Sequence, residues 1–251
     1  MNTLFFYPEE QELVAAKSTF SEDLNKVLDS AFNAAELRNY LGASSLGDVC
    51  VRRLQYQRLG IQPDTPLSGK QQRIFELGHI LEDVVANWLR QAGFALETLD
   101  PSTQKQFEFQ QANGQIKGHV DGIIRNGPVT LPYPLLWECK TMKSALWRDF
   151  MKNGLEISHQ HYFVQVQLYM AYLNLGNCLL TALNKDTAEL HHELIPFNAG
   201  IASKYSDRAV QILKATEHGE FLPRIAVNSD YFECKMCKFY NTCWAHLIEE
   251  G

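Results

Sequence analysis

The sequence predicts an α/β domain in which a central mixed sheet is flanked by helices. Three observations predict it. Apolar residues recur at helical spacing early in the chain, alternate with polar ones through the middle, then return to helical spacing around a last pair of strand-like runs. Short turn signals, Asn113-Gly114 and Asn126-Gly127-Pro128, separate the alternating stretches. The composition, 45% apolar and 21% charged over 251 residues, is that of a globule large enough to fold without disulfide staples.

Residues 1–43 show a helical pattern through Leu24, Leu28, Phe32 and Leu37 and carry no site chemistry. They read as a helical lead-in to a single domain over 44–251. Ser45, followed three residues on by Asp48, resembles a capping box and predicts a helix over about 46–59. The stretch KQQRIFELGHILEDVVANWLRQAGF predicts the strongest helix. Ile74, Leu77, Leu81, Val84, Val85 and Trp88 form one stripe, and Phe75, Gly78, His79, Glu82 and Ala86 a second face that turns toward a site. FALETL, KQFEFQ and QIKGHVDGIIR read as strands, the last with Ile116, Val120 and Ile124 alternating against Lys117, His119 and Asp121. PLLWECK reads as a strand with Leu136, Glu138 and Lys140 on one face and Leu135, Trp137 and Cys139 on the other. Helices over 143–152 and 158–175, strands CLLTALN and ELHHELIPF, and a helix over 199–218 complete an α/β sandwich with its acidic site at one edge of the sheet.

No run of eighteen apolar residues occurs, which excludes a spanning helix, and the start turns acidic at once, unlike a secretory signal; the reading is a cytoplasmic chain without a membrane partner. The formal net charge of −6 means that a nucleic-acid partner must be met by a local basic surface. Six cysteines in such a chain point to free thiols or metal ligation rather than disulfides.

Two constellations carry chemistry. Asp121 in GHVDG and Glu138 in WECK lie near the ends of neighbouring strands, so their carboxylates can converge on one hard cation, magnesium or manganese, with the Cys139 carbonyl as a further oxygen. Lys140 shares the face of Glu138, where its ammonium can orient an attacking water and stabilise charge building on a phosphate. Cys234-x2-Cys237-x5-Cys243 is a tight trio with the spacing of a soft-metal site, iron–sulfur or zinc. Cys139 and Cys178 read as core thiols, which leaves Cys50 as the remaining cysteine.

GHILE, GHVDG, WECKT and QVQLY, in that order, closely resemble the motifs of PD-(D/E)XK nucleases of the RecB-like branch. The resemblance covers about residues 44–246 and implies a restriction-endonuclease-like fold. It makes His79, Asp121 and Glu138 metal ligands and Lys140 the residue acting at the water. It also makes Gln165 and Tyr169 the helix pair that places an amide beside the site and contacts DNA. The run SSLGDVCVRR and the C-terminal trio further resemble iron–sulfur-stapled members of that branch, the CRISPR-associated adaptation nucleases and AddB-type domains. That resemblance implies a [4Fe-4S] cluster on Cys50, Cys234, Cys237 and Cys243, joining the two ends of the domain in a structural role.

Local basic and aromatic residues complete the expectation. Arg52, Arg53 and Arg58 near the cysteines, and Lys143, Arg148 and Lys152 after the acidic strand, are candidates for DNA phosphates; Trp147, Tyr56 and Tyr172 are candidates for stacking unpaired bases. No base-reading motif is present, which predicts little sequence preference. The functional expectation is a metal-dependent exonuclease on single-stranded DNA ends, with the 5′→3′ polarity that the resemblance implies. It would work in recombination, repair or spacer acquisition, with protein partners in a recombination or CRISPR adaptation complex. The alternatives are an endonuclease or flap nuclease using the same site, and a non-catalytic DNA-binding assembly protein.

Overall fold

The structure is a computed structural model and describes residues 8–32 and 38–245; Leu37 and the end of the C-terminal segment fall outside them. The elements in order are α1 (Pro8–Ser30), β1 (Leu41–Gly42), a 3-10 turn (Ala43–Ser45), α2 (Val51–Arg58), α3 (Gly69–Gln91), β2 (Leu96–Glu97), β3 (Glu108–Gln111), β4 (Ile116–His119), β5 (Gly122–Ile124), β6 (Leu135–Met142), α4 (Ser144–Ser158), α5 (Gln160–Leu173), β7 (Asn177–Asn184), β8 (Leu190–Pro196), α6 (Ala199–Glu217), α7 (Phe232–Lys235) and α8 (Tyr240–Trp244). Two mixed sheets result. One has three strands in the order β1-β4-β3 and the other five in the order β2-β5-β6-β7-β8. Among the described residues no helix is long and apolar enough to cross a membrane.

The chain divides into two compact units, Met1–Glu36 with Pro66–Leu77, and Leu37–Thr65 with Gly78–Gly251. In the first, Arg73 pairs with Asp29 across the unit. Its apolar residues Leu24, Leu28, Ile74 and Leu77 are exposed, so the stripes expected from helical spacing do not bury there. The second unit holds the sheets and the site.

β6 is the middle strand of the larger sheet and is buried on both faces. Leu136 joins a core formed with α4, α5, α6 and the smaller sheet, while Leu135, Trp137 and Cys139 join a second core with Val85, Ala86 and Leu89 of α3. The predicted division of β6 into two faces therefore appears as two separate cores. The site belongs to this middle strand, not to a sheet edge as expected. On α3 the buried line is Val85, Ala86 and Leu89, and Trp88 is exposed. The helix expected over 46–59 begins only at Val51, because Asp48 accepts from the Cys50 amide while Ser45 Oγ donates back to the Gly42 carbonyl.

QIKGHVDGIIR is not one strand. The chain leaves the smaller sheet after His119 and enters the larger one at Gly122, with Val120 and Asp121 at the crossing. Two glycines make this crossing sterically possible. A Cβ at Gly122 would stand 2.7 Å from the Glu97 carbonyl oxygen, and one at Gly118 would stand 2.4 Å from the Phe109 ring.

Candidate active site

Strand register brings the acidic pair together. β5 runs antiparallel to β6 with Gly122 opposite Trp137, so the ladder extended by one residue sets Asp121 beside Glu138. Asp121 Oδ2 accepts the Cys139 backbone amide at 2.8 Å, which locks the carboxylate against β6. Glu138 is fully buried. Its Oε1 accepts from the Lys140 ammonium and, at 2.6 Å, from the Gln165 side-chain amide of α5. Its Oε2 is buried with no hydrogen-bond partner. Tyr169, one turn on from Gln165, packs edge-on against Phe109 at 5.5 Å. Asp121, Glu138, Lys140, Gln165 and Tyr169, all named from the sequence, line one cavity of about 590 Å³.

The electrostatics are those of crowded acids sharing one base. Burial, reinforced by the charge of Asp121, pushes the Glu138 carboxyl up to about 8. Burial also raises Asp121, against the pull of Lys140 and the Cys139 amide. For Lys140, burial alone would lower the pKa, but the carboxylates of Glu138 and Asp121 outweigh it and hold the ammonium charged well above its ordinary range. Cys139 faces the other core, and burial raises its thiol, in keeping with a core role for its side chain.

The helical face of α3 contributes a residue that sequence reasoning noted only in passing. Glu82 lines the cavity, and burial with the nearby charge of Asp121 pushes it up to about 7. The signal was its place one turn after Gly78 on the face turned toward the site. His79 sits at the rim with its side chain 82% exposed and its Nδ1 3.8 Å from Glu82. Among the described residues no three His, Cys, Asp or Glu side chains form a ready-made metal cage.

The basic and aromatic residues expected to contact DNA do not line this cavity. Arg52 donates to the Leu222 carbonyl and lies over the Phe221 ring; Arg53 is held by both oxygens of Asp48 at 2.6 Å; Arg58 donates to Gln115. Trp147 is buried with its indole donating to the Ala182 carbonyl, and Tyr56 is buried against Phe239 and Phe221, so neither ring is open to a base. Tyr172 is tied to Ser206. Lys143, Arg148 and Lys152 are exposed but do not line the cavity. The cations that do, besides Lys140, are Arg38 and Lys117, both set over the ring of Tyr40 at 5.8 and 5.2 Å. Neither has a carboxylate partner among the described residues. They were missed because their nearness to the site depends on the pairing of β1 with β4.

The four cysteines assigned by resemblance also meet. Cys50, at the N-terminus of α2, and Cys234, Cys237 and Cys243, on and between α7 and α8, line one small cavity of about 20 Å³ with Arg53, Tyr56, Phe239 and Trp244. Backbone contacts hold this knuckle. Asp64 accepts from the Asn241 and Thr242 amides and the Thr242 hydroxyl, and Arg224 donates twice to the Cys243 carbonyl while lying over Trp244.

Comparison with known proteins concerns the fold. No protein-family model and no curated protein matches the chain. Among solved structures, an alkaline exonuclease (LHK-Exo) from Laribacter hongkongensis aligns with a TM-score of 0.52 at 16% identity, covering 77% of this chain and 93% of that one. A structure of LHK-Exo in complex with dAMP aligns at 0.49 and 16% identity, covering 72% and 89%. A protein called SSO0001 aligns at 0.49 and 22% identity, covering 90% and 97%. The fold is therefore of the kind found in the alkaline exonuclease, a mixed α/β nuclease-like fold.

Proposed function

We propose that the chain is a metal-dependent deoxyribonuclease that hydrolyses phosphodiester bonds at single-stranded DNA ends with 5′→3′ polarity, in recombination, repair or spacer acquisition. The observation that carries this reading is Glu138, held through one oxygen by Lys140 and Gln165 and left bare at the other. A buried, unpartnered carboxylate oxygen beside a second carboxylate is costly unless a cation joins it. The donor set fits magnesium or manganese, which take one or two carboxylates and keep several waters, so a cage of three side chains is not required. Asp121 and Glu138 would hold the ion with the Cys139 carbonyl, and Glu82 and His79 reach the same cleft from α3. The fold shared with an alkaline exonuclease and the ordered motif resemblance support the exonuclease form of the reading.

A bound divalent ion supplies charge neutralisation on the phosphodiester and a water of lowered pKa. The protein's own residues do the positioning. Gln165 fixes the Glu138 oxygen that is not free, and the Cys139 amide fixes Asp121. Lys140 presents a permanent positive charge toward the attacking water and the phosphate oxygens. Arg38 and Lys117, both set against the Tyr40 ring, hold neighbouring phosphates along the cavity wall. Little in this arrangement reads base edges.

We also propose that Cys50, Cys234, Cys237 and Cys243 hold a [4Fe-4S] cluster with a structural role. The observation that supports it is that the four thiols line one cavity. A brown protein with broad visible absorption after anaerobic purification supports this. A colourless one carrying stoichiometric zinc overturns it.

The nuclease reading is tested with magnesium or manganese on end-labelled linear single strands and on a covalently closed single-stranded circle. The expected result is release of nucleotides from the 5′-labelled linear strand and an intact circle. An opened circle would instead indicate an endonuclease or flap enzyme, and tight binding without cleavage under several metals a DNA-binding assembly protein.

A further inference from the structure

The face of α5 that supplies Gln165 and Tyr169 carries one more residue toward the site. Tyr162 lies one turn before Gln165 on the same face. Its ring stands 4.8 Å from the Lys140 ammonium. The ring is itself fixed: His159 stacks parallel to it at 5.7 Å, and the His161 ring lies 3.9 Å away. Lys140 therefore has two partners, the Glu138 carboxylate and the Tyr162 ring.

We infer that Tyr162 is a positioning residue for Lys140, its ring keeping the ammonium in place and aimed into the cleft when it turns from Glu138 Oε1 toward the attacking water and the phosphate. The inference rests on the nuclease reading for its effect on rate, but the pairing itself is independent of it. The physical need is specific. Lys140 is bonded to Glu138 Oε1, yet in the proposed reaction its ammonium acts at the water and the phosphate oxygens, and a flexible four-carbon stem released from the carboxylate would lose its aim. An aromatic face attracts the ammonium without competing as a metal ligand, since it offers no lone pair in the cation's path. Gln165 plays the matching part for Glu138, so a single helix face fixes both members of the pair.

Two measurements test this. The first compares Tyr162→Leu and Tyr162→Phe in steady-state cleavage. Loss of the ring should lower kcat about tenfold, with KM held within about twofold, and Tyr162→Phe should stay at the parent rate. A Tyr162→Leu variant with the parent kcat overturns the inference, and so does a Tyr162→Phe variant that falls as far as Tyr162→Leu, because then the hydroxyl or the packing matters and not the ring face. The second needs no activity. In protein labelled with ¹³C-lysine, the ε-methylene resonance absent from Lys140→Met identifies Lys140. It should be shifted upfield by the ring in the parent and in Tyr162→Phe, and return to the position of other lysines in Tyr162→Leu. A Lys140 resonance already among the other lysines in the parent overturns the pairing. If the parent cleaves no DNA, the nuclease reading fails, yet the resonance still decides whether the ring holds the ammonium.

Discussion

In the cleft, the acidic pair and its neighbours are carried by or set directly beside strands and long helices: Asp121 abuts β5, Glu138 and Lys140 lie within β6, Gln165 within α5 and Glu82 within α3. In the cysteine knuckle, Cys234 and Cys243 ride on helices of four and five residues, with Cys237 between them. Such short helices have almost no stability of their own, since the first turn is the costly one to form. The cleft is thus preorganised by the sheet, whereas the knuckle depends on side chains reaching in from outside, Asp64 and Arg224 above all, and on whatever its thiols bind. Substitutions in the cleft should cost rate and spare stability, and substitutions around the knuckle should do the reverse.

The largest expected effect is at Lys140. Removing the ammonium beside the acidic pair, in Lys140→Ala, should lower the cleavage rate about 10²–10³-fold. The circular dichroism spectrum should be unchanged, because the β6–β7 ladder does not use that side chain. A variant that cuts like the parent would remove the cleft from the chemistry altogether.

Next in size is Asp64→Ala. It deletes three hydrogen bonds to the start of α8, two from amides and one from a hydroxyl. The expected loss is about 2 kcal/mol, seen as a drop of roughly 4–8 °C in the thermal midpoint. Cleavage at 25 °C should remain near the parent rate. If rate falls as steeply as in Lys140→Ala, the two regions are not separable and the contrast is wrong.

The same contrast explains what could be read from the sequence. The pair on β6 was legible because strand periodicity of two sorts residues onto faces without further information, and the two cores on either side of β6 follow that sorting. Gln165 and Tyr169 were legible as an i, i+4 pair in a recognisable motif. The break at Val120–Asp121 was not, because the alternation of Ile116, Val120 and Ile124 runs on through it. What ends one strand and starts another is the close approach of Gly122 to the Glu97 carbonyl, a contact made by residues far apart in the chain. The cations of the cavity wall were illegible for a related reason. An arginine in a sequence does not reveal its partner, and Arg52 and Arg53 prove to be taken by Leu222 and Asp48, while Arg38 and Lys117 reach the cleft only through the parallel pairing of β1 with β4.

That reassignment gives a third prediction. Arg38→Ala and Lys117→Ala should each weaken binding to single-stranded DNA and reduce the slope of log affinity against log salt by about 0.7. Arg148→Ala, exposed on α4 but away from the cavity, should leave both unchanged. Fluorescence anisotropy across a salt series measures the difference. Equal losses in all three variants would mean a diffuse basic field and not a strand held along the cavity wall.

The smallest effect lies behind the cleft, at His159. Ser158 Oγ donates its only hydrogen to the Gly154 carbonyl, so it must accept from His159 Nδ1, which leaves Nε2 as the bare nitrogen of a neutral ring. Nε2 is buried and has no partner. Protonation would put a charge and an unmatched N–H there, and burial accordingly lowers the pKa from its ordinary 6.5, against a weaker opposing pull from Asp149. The unfolded chain then binds more protons than the folded one just below pH 6.5, so stability is intact above that value and is lost as pH falls through it. His159→Phe keeps an aromatic ring for Phe150 and Tyr162 to pack on and removes the proton site. Its thermal midpoint should fall less than that of the parent between pH 7 and 5. Parallel curves for the two proteins would show that the ring of His159 is protonated as readily when folded as when unfolded.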